Sequence, residues 1–127
     1  MLIKKRKLLA IFLTTFLLFS TTSLFACSLF GPSESDIEII SEGFGCDEYN
    51  RNAVVVKIKN KASETIKVSF SVKIYKDGEI VDESISGVAT LDSGEIATLS
   101  AVTTEKSMFG LQYDNRYSYK IIKWNLY

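Results

Sequence analysis

The stretch Thr65-Ile66-Lys67-Val68-Ser69-Phe70-Ser71-Val72-Lys73-Ile74-Tyr75-Lys76, then Asp77-Gly78, then Glu79-Ile80-Val81-Asp82-Glu83-Ser84-Ile85, decides the fold of this chain. Its apolar side chains recur at every second residue. Val68, Phe70, Val72 and Ile74 fall on one face, while Ser69, Ser71, Lys73 and Tyr75 fall on the other. Successive side chains of an extended chain point to opposite sides, so this period is that of a strand with one face on a core and the other half solvated. Asp-Gly between two β-rich runs is the strongest short-range hairpin signal, because a type I′ turn needs positive φ at both central residues. The segment therefore predicts an antiparallel hairpin, with strands over Thr65–Lys76 and Glu79–Ile85.

The pattern continues in both directions. Over Ala53–Lys59, Val54, Val56 and Ile58 share one face against Val55, Lys57 and Lys59, and Asn60-Lys61-Ala62-Ser63-Glu64 is a polar turn. Ile37, Ile39 and Ile40 mark a first strand. After the hairpin, Gly87 is expected to form a bulge, and Val88–Leu91 leads into a second turn, Asp92-Ser93-Gly94. Glu95–Thr104 is a further strand, Ser107–Asn115 is irregular, and Arg116–Leu126 closes the chain with Tyr117, Tyr119, Ile121, Ile122 and Trp124. No window carries a helical stripe. Six or seven short strands in the 92 residues from Asp36 to Tyr127 predict an all-β fold, an antiparallel immunoglobulin-like β-sandwich following an N-terminal signal helix. A domain of this size buries roughly 60–70% of its unfolded surface, enough for one core without cross-links.

The first 26 residues have a different character. Lys4, Lys5, Arg6 and Lys7 precede a twelve-residue apolar run, Leu8–Phe19, and a Ser/Thr-rich segment that ends Leu24-Phe25-Ala26-Cys27. That is the layout of a secretory signal, with an apolar region too short for a typical spanning helix. Its end resembles a bacterial lipobox, in which Leu, a variable residue and a small residue precede a lipidated cysteine; Phe25 is bulkier than the usual second residue. The resemblance implies thioether diacylation of Cys27 and cleavage after Ala26. Two acyl chains anchor stably where one is marginal, at ~0.8 kcal/mol per buried methylene. An uncleaved anchor over Leu8–Ala26 is the alternative, and it gives the same topology, with the basic cluster cytoplasmic and the rest outside. The expected organisation is thus a signal peptide over 1–26, a tether over 27–35 containing Gly31-Pro32, and the sandwich over 36–127. The expected location is the extracytoplasmic face of a bacterial cell membrane.

A second resemblance lies in the strands. Val72-Lys73-Ile74-Tyr75-Lys76 before Asp77-Gly78 is similar to the Phe-x-Leu-Tyr-Asp motif of FxLYD-type extracytoplasmic modules. Val56-Lys57-Ile58-Lys59-Asn60 and Leu91-Asp92-Ser93-Gly94-Glu95 echo that family's first strand end and its later turn. Tyr75 is identical, Val72 and Ile74 are conservative, and Lys76 departs from the motif. The resemblance covers about forty residues and implies an immunoglobulin-like sandwich on a bacterial surface lipoprotein, without a catalytic site.

Charge and residue types narrow the function classes. The chain has fifteen basic and fifteen acidic residues, but four bases lie at positions 4–7, so the remainder after position 26 carries a net charge of −4. A nucleic-acid partner is disfavoured, since it needs a basic footprint. The absence of histidine removes the commonest general base and transition-metal ligand. Asp92-Ser93-Gly94 matches the aspartic-protease turn, yet Glu95 stands where that family has a small apolar residue, and Met108-Phe109-Gly110 follows too soon for its second motif. Cys46 is the thiol left over once Cys27 is lipidated, and neighbouring Asp47 and Glu48 disfavour its thiolate. Asp47, Glu48 and Asn50 offer oxygen ligands without the spacing of a calcium loop. No cofactor or metal is therefore expected, and the reading is non-enzymatic. The candidate contact surface is aromatic: Met108, Phe109 and Tyr113 in the irregular loop, with Tyr117, Tyr119 and Trp124 on the final strand, facing an unidentified protein or glycan partner. For the strand aromatics, cross-strand packing is the competing explanation. A surface protease inhibitor presenting loops from the sandwich is the alternative function.

Overall fold

A computed structural model describes residues 32–127, so the signal segment and Cys27 lie outside the described residues. Ser33–Tyr127 form one compact unit. Its strands are β1 (Ile37–Cys46), β2 (Asn52–Asn60), β3 (Ile66–Lys76), β4 (Glu79–Ile85), β5 (Ala89–Leu91), β6 (Ile96–Val102) and β7 (Tyr117–Leu126). All pairings are antiparallel. One sheet has the order β1-β2-β6. In the other, β3 is central, with β7 along one side and β4 followed by β5 along the opposite side. With β2 pairing β6 in one layer and β3 pairing β7 in the next, the chain is an all-β sandwich of the expected immunoglobulin-like kind.

The alternating pattern sets the inner faces. Val54, Val56 and Ile58 of β2 meet Val68, Phe70, Val72 and Ile74 of β3, and all seven are fully buried. Leu91, Leu99 and Ala101 complete the core from the strands beside them. At the hairpin, Asp77 (φ 51°) and Gly78 (φ 82°) both adopt the left-handed conformation that a type I′ turn demands. Ser69 departs from the half-solvated expectation and is buried. Asn125 Nδ2 donates to its hydroxyl at 3.2 Å, and the Tyr127 hydroxyl lies 3.3 Å from it, so the chain's last residues cover that outer face.

Gly87 does not form the bulge. It lies in the short break between β4 and β5, where Ser86 Oγ takes the place of a ladder group by accepting from the Phe70 N–H at 2.9 Å. The bulges fall instead at Ile40 of β1, Val81 of β4 and Ile122 of β7, each the residue skipped by the pairing register. Each belongs to an aliphatic doublet (Ile39-Ile40, Ile80-Val81, Ile121-Ile122), and each shifts the phase of the residues after it.

The two poles of the sandwich are closed differently. At the pole where the chain enters, a 3₁₀ turn over Glu34–Asp36 is tied to the β2–β3 crossover by the Lys61 N–H donating to the Asp36 carbonyl at 2.7 Å. Asn60, fully buried there, donates from Nδ2 to the carbonyls of Glu64 (2.8 Å) and Leu91 (3.0 Å), and its Oδ1 accepts from the Ala62 N–H at 2.9 Å. Its backbone also bonds Glu95 and Gly94 in the β5–β6 turn. One asparagine thereby joins the two inter-sheet connections at this pole, β2–β3 and β5–β6. The opposite pole is spanned by the Thr103–Arg116 connection, which crosses from β6 at one edge to β7 at the other.

Candidate contact surface

The Thr103–Arg116 connection is long, but it is braced. Its entry is fixed by the Thr103 N–H donating to the Asn52 carbonyl at 2.9 Å and by the Thr103 hydroxyl donating to the Asp82 carboxylate. Leu111, in a 3₁₀ turn over Leu111–Tyr113, is buried as an apolar plug on the core. Gly110 precedes it at φ 97°, a conformation that an L side chain rarely adopts. A Cβ at that position would also meet the Gln112 amide oxygen at 3.1 Å.

Asp114 is the centre of the brace. Its carboxylate accepts from Ser107 Oγ at 2.9 Å, from Arg116 Nε at 3.0 Å, from Arg116 Nη2 at 2.9 Å and from the Arg116 N–H at 3.1 Å. The Arg116 guanidinium holds the carboxyl well below the usual carboxylate range, aided by the backbone amide and Ser107, and it is itself raised by the pairing. A fork of this kind restrains both ends of the Ser107–Arg116 segment.

What the brace presents is apolar. Met108, Phe109 and Tyr113 are 90%, 78% and 78% exposed. Together with Ser107, Asp114, Asn115 and Arg116 they line a recess of 390 Å³. The other three aromatics expected on this surface lie elsewhere. Tyr117 is only 7% exposed, Tyr119 packs edge-on to Phe44 with centroids 5.1 Å apart, and Trp124 lies 5.5 Å from Phe70. The Ile122 bulge explains why. Before it, Tyr117, Tyr119 and Ile121 pair with Lys76, Ile74 and Val72; after it, Trp124 and Leu126 pair with Phe70 and Val68. The phase shift turns odd positions inward first and even positions afterwards, so all three aromatics face between the sheets. Their polar tips are used internally, with the Tyr117 hydroxyl on Glu105 at 3.1 Å and the Tyr119 hydroxyl on Glu42 at 2.8 Å. Burial, with the acceptor carboxylate beside it, pushes Tyr119 up to about 12 and raises Tyr117 as well.

No protein-family model, no curated protein and no solved structure matches the chain.

The remaining candidates take turn-forming positions. Asp92 accepts from Thr65 Oγ1 at 3.0 Å, and the Glu95 N–H closes on its carbonyl at 3.0 Å, while Ser93 Oγ donates to the Ala62 carbonyl at 2.6 Å. Asp92-Ser93-Gly94 thus docks the β5–β6 turn onto the crossover. Asp47 accepts from the Tyr49 and Arg51 N–H groups at 3.1 and 2.7 Å and pairs with Arg51 Nη2 at 2.7 Å, so its oxygens shape the β1–β2 turn, in which Asn50 sits at φ 60°. Arg51 holds the Asp47 carboxyl below its ordinary value. Cys46 is a free, exposed thiol at the end of β1. Among the described residues no group of three or more metal-ligating side chains converges.

Proposed function

We propose that this chain is a lipid-anchored, non-enzymatic binding module on the extracytoplasmic face of a bacterial cell membrane, held through Cys27 and meeting its partner with the Met108–Phe109–Tyr113 loop. The observation that carries the binding role is the pairing of three exposed apolar side chains with a polar brace beneath them. Loops that expose large apolar groups without function are selected against by aggregation, and a contiguous patch of this kind marks an interaction surface. The loop also lies at the pole opposite the one where the N-terminal chain enters, since Ile37 pairs with Asn60 and Thr103 bonds Asn52. Support for the anchor is the Lys4–Lys7 cluster, the Leu8–Phe19 run and the Leu24-Phe25-Ala26-Cys27 end, and the FxLYD-type resemblance agrees with a surface lipoprotein. The partner is a protein or glycan surface, because Phe109 and Tyr113 combine apolar ring faces with a phenol hydroxyl.

The test has two arms in living bacteria. Radiolabelled palmitate is expected on the wild-type protein and absent from Cys27→Ala; equal labelling of both removes the anchor. A photo-crosslinking amino acid at position 109 is expected to capture a discrete partner that Met108→Ser with Tyr113→Ser abolishes. Capture identical to that from a probe at Lys57, on the solvent face of β2, removes the contact surface.

A further inference from the structure

Of the five strands at sheet edges, β5 is only three residues long, three others are protected, and one is open. β1 carries Glu38, Glu42 and a bulge at Ile40; β4 carries Asp82, Glu83 and a bulge at Val81; β7 carries Lys120, Lys123 and a bulge at Ile122. Charges and bulges are the usual devices that stop an edge from pairing with another chain. β6 has neither. Its sequence Ile96-Ala97-Thr98-Leu99-Ser100-Ala101-Val102 contains no charge, no proline and no glycine, and its register with β2 is unbroken. It is the third strand of the order β1-β2-β6, and the place beside it, where an immunoglobulin-type sheet of order A-B-E-D has its fourth strand, is taken by no strand among the described residues.

The hydrogen bonds at its ends show which of its backbone groups point outward. Asn60 bonds Glu95 and Thr103 bonds Asn52, so the odd-numbered residues between them direct their N–H and C=O groups at β2. The even-numbered residues Ile96, Thr98, Ser100 and Val102 direct theirs away. Ser84 Oγ already donates to the outward Val102 carbonyl at 2.6 Å. Ile96, Thr98 and Ser100 remain as a three-residue outward ladder. Beside it runs a groove of 670 Å³ lined by Thr98, Ser100, Ser84, Ile85 and Val88, among others, with Ile85 66% and Val88 58% exposed.

We propose that β6 pairs with β6 of a second copy of this chain across a two-fold axis at Thr98, joining two three-stranded sheets into one of six strands. The edge is complementary to itself. Centred on Thr98, the antiparallel register sets Ile96 against Ser100 of the other copy and Thr98 against its own counterpart, giving about six ladder bonds from open groups alone. A register two residues further along the strand would enlist Val102 and break its bond to Ser84. Isologous pairing of this sort is the commonest route to a closed dimer. Each domain carries a net charge of −4, but β6 itself bears no charge, so no like-charge pair faces another along the seam. The exposed Ile85 and Val88 side chains, which line the groove, then lie beside the seam in both copies.

The experiment measures the molar mass of the full chain in detergent by light scattering, across a dilution series. The wild type is expected to be a dimer that dissociates on dilution. Thr98→Pro removes an N–H that faces away from β2, so the fold survives while two bonds at the axis are lost, and dimerisation weakens at least about 30-fold. Thr98→Lys sets two like charges opposite each other and gives the same loss without touching the backbone. Unchanged far-UV circular dichroism and melting temperature in the lysine variant tie the loss to the edge. A wild type that stays monomeric up to about 1 mM overturns the proposal. So does a dimer that both variants retain, or a monomer carrying a different polypeptide on β6.

Discussion

Removing the Asn60 side chain tests how the two sheets are held together. In Asn60→Ala, the donor bonds to the Glu64 and Leu91 carbonyls and the acceptor bond from the Ala62 N–H all disappear. Each such bond contributes about 1 kcal/mol net, and a buried partner left unpaired costs about 1–3 kcal/mol more. The Leu91 carbonyl is the partner most exposed to that penalty, because its bond to Asn60 is buried on both sides. The expected loss is therefore about 4 kcal/mol, a large part of the 5–15 kcal/mol typical of a domain. Asn60→Asp separates the two halves of the interaction. It keeps an acceptor for Ala62 but turns an oxygen toward two carbonyls, so burial disfavours its charged form. Its folded-state pKa then lies above the ordinary carboxyl value. A raised value contributes stability present below about pH 4 and lost as pH rises through it, so the aspartate variant is closest to wild type in acid and weakest at neutral pH. Equilibrium urea unfolding of Ser33–Tyr127, followed by the fluorescence of Trp124, reads both variants. A cost below about 1 kcal/mol for Asn60→Ala, or an aspartate variant whose deficit does not shrink in acid, refutes the tie.

Two further substitutions probe separate parts of the frame. Gly78→Ala meets no atom within 4 Å, so its cost is conformational alone: about 1 kcal/mol for an L residue at φ 82°, seen as a lower urea midpoint with an unchanged slope. Tyr119, raised to about 12 by burial and by its bond to Glu42, gives stability that is full below about pH 10 and lost as pH rises toward 12. Phenolate absorbance should show late titration by Tyr119 beside the raised Tyr117, with one late-titrating phenol fewer in Tyr119→Phe, together with part of the alkaline fall in unfolding midpoint; a titration curve identical to wild type counts against the Tyr119–Glu42 contact.

The inner faces of β2 and β3 were legible in the sequence because those strands are central, regular and alternate without interruption. The hairpin was legible because Asp77-Gly78 admits few other conformations. What escaped the pattern lay on the edges. A bulge breaks the alternation that reveals a strand, so β1 read as Ile37–Ile40 alone, whereas it runs on to Cys46 through Gly43 and Gly45, which carry no side chain to show a face. The aliphatic doublets at 39–40, 80–81 and 121–122 were the available signal: two β-branched residues in succession place an apolar group on each face unless the strand slips by one. The same slip decides the aromatics. Taken with unbroken alternation, Tyr117, Tyr119 and Trp124 cannot share a face; with the Ile122 bulge they do, and Met108, Phe109 and Tyr113 are left as the exposed group. Asn60, although it closes the Val56–Asn60 stretch that echoes a family motif, gave no sign of its burial, since a polar residue at a strand end looks like any turn residue until its partners across the core are known.

The placement of order in this domain follows from these particulars. The pole at which β1 begins is stitched by a buried amide with every bond satisfied. The opposite pole is fixed by Asp114 and Arg116, whose pairing is solvent-exposed on the arginine side and worth less per contact than a buried network. That difference sets the hierarchy of opening. The loop that carries Met108, Phe109 and Tyr113 rests on Leu111 and on a surface fork, so it is expected to open at a lower free energy than the Asn60 pole. On the proposed binding role, its side chains can rearrange against a partner while the seven inner-face residues of β2 and β3 stay sealed.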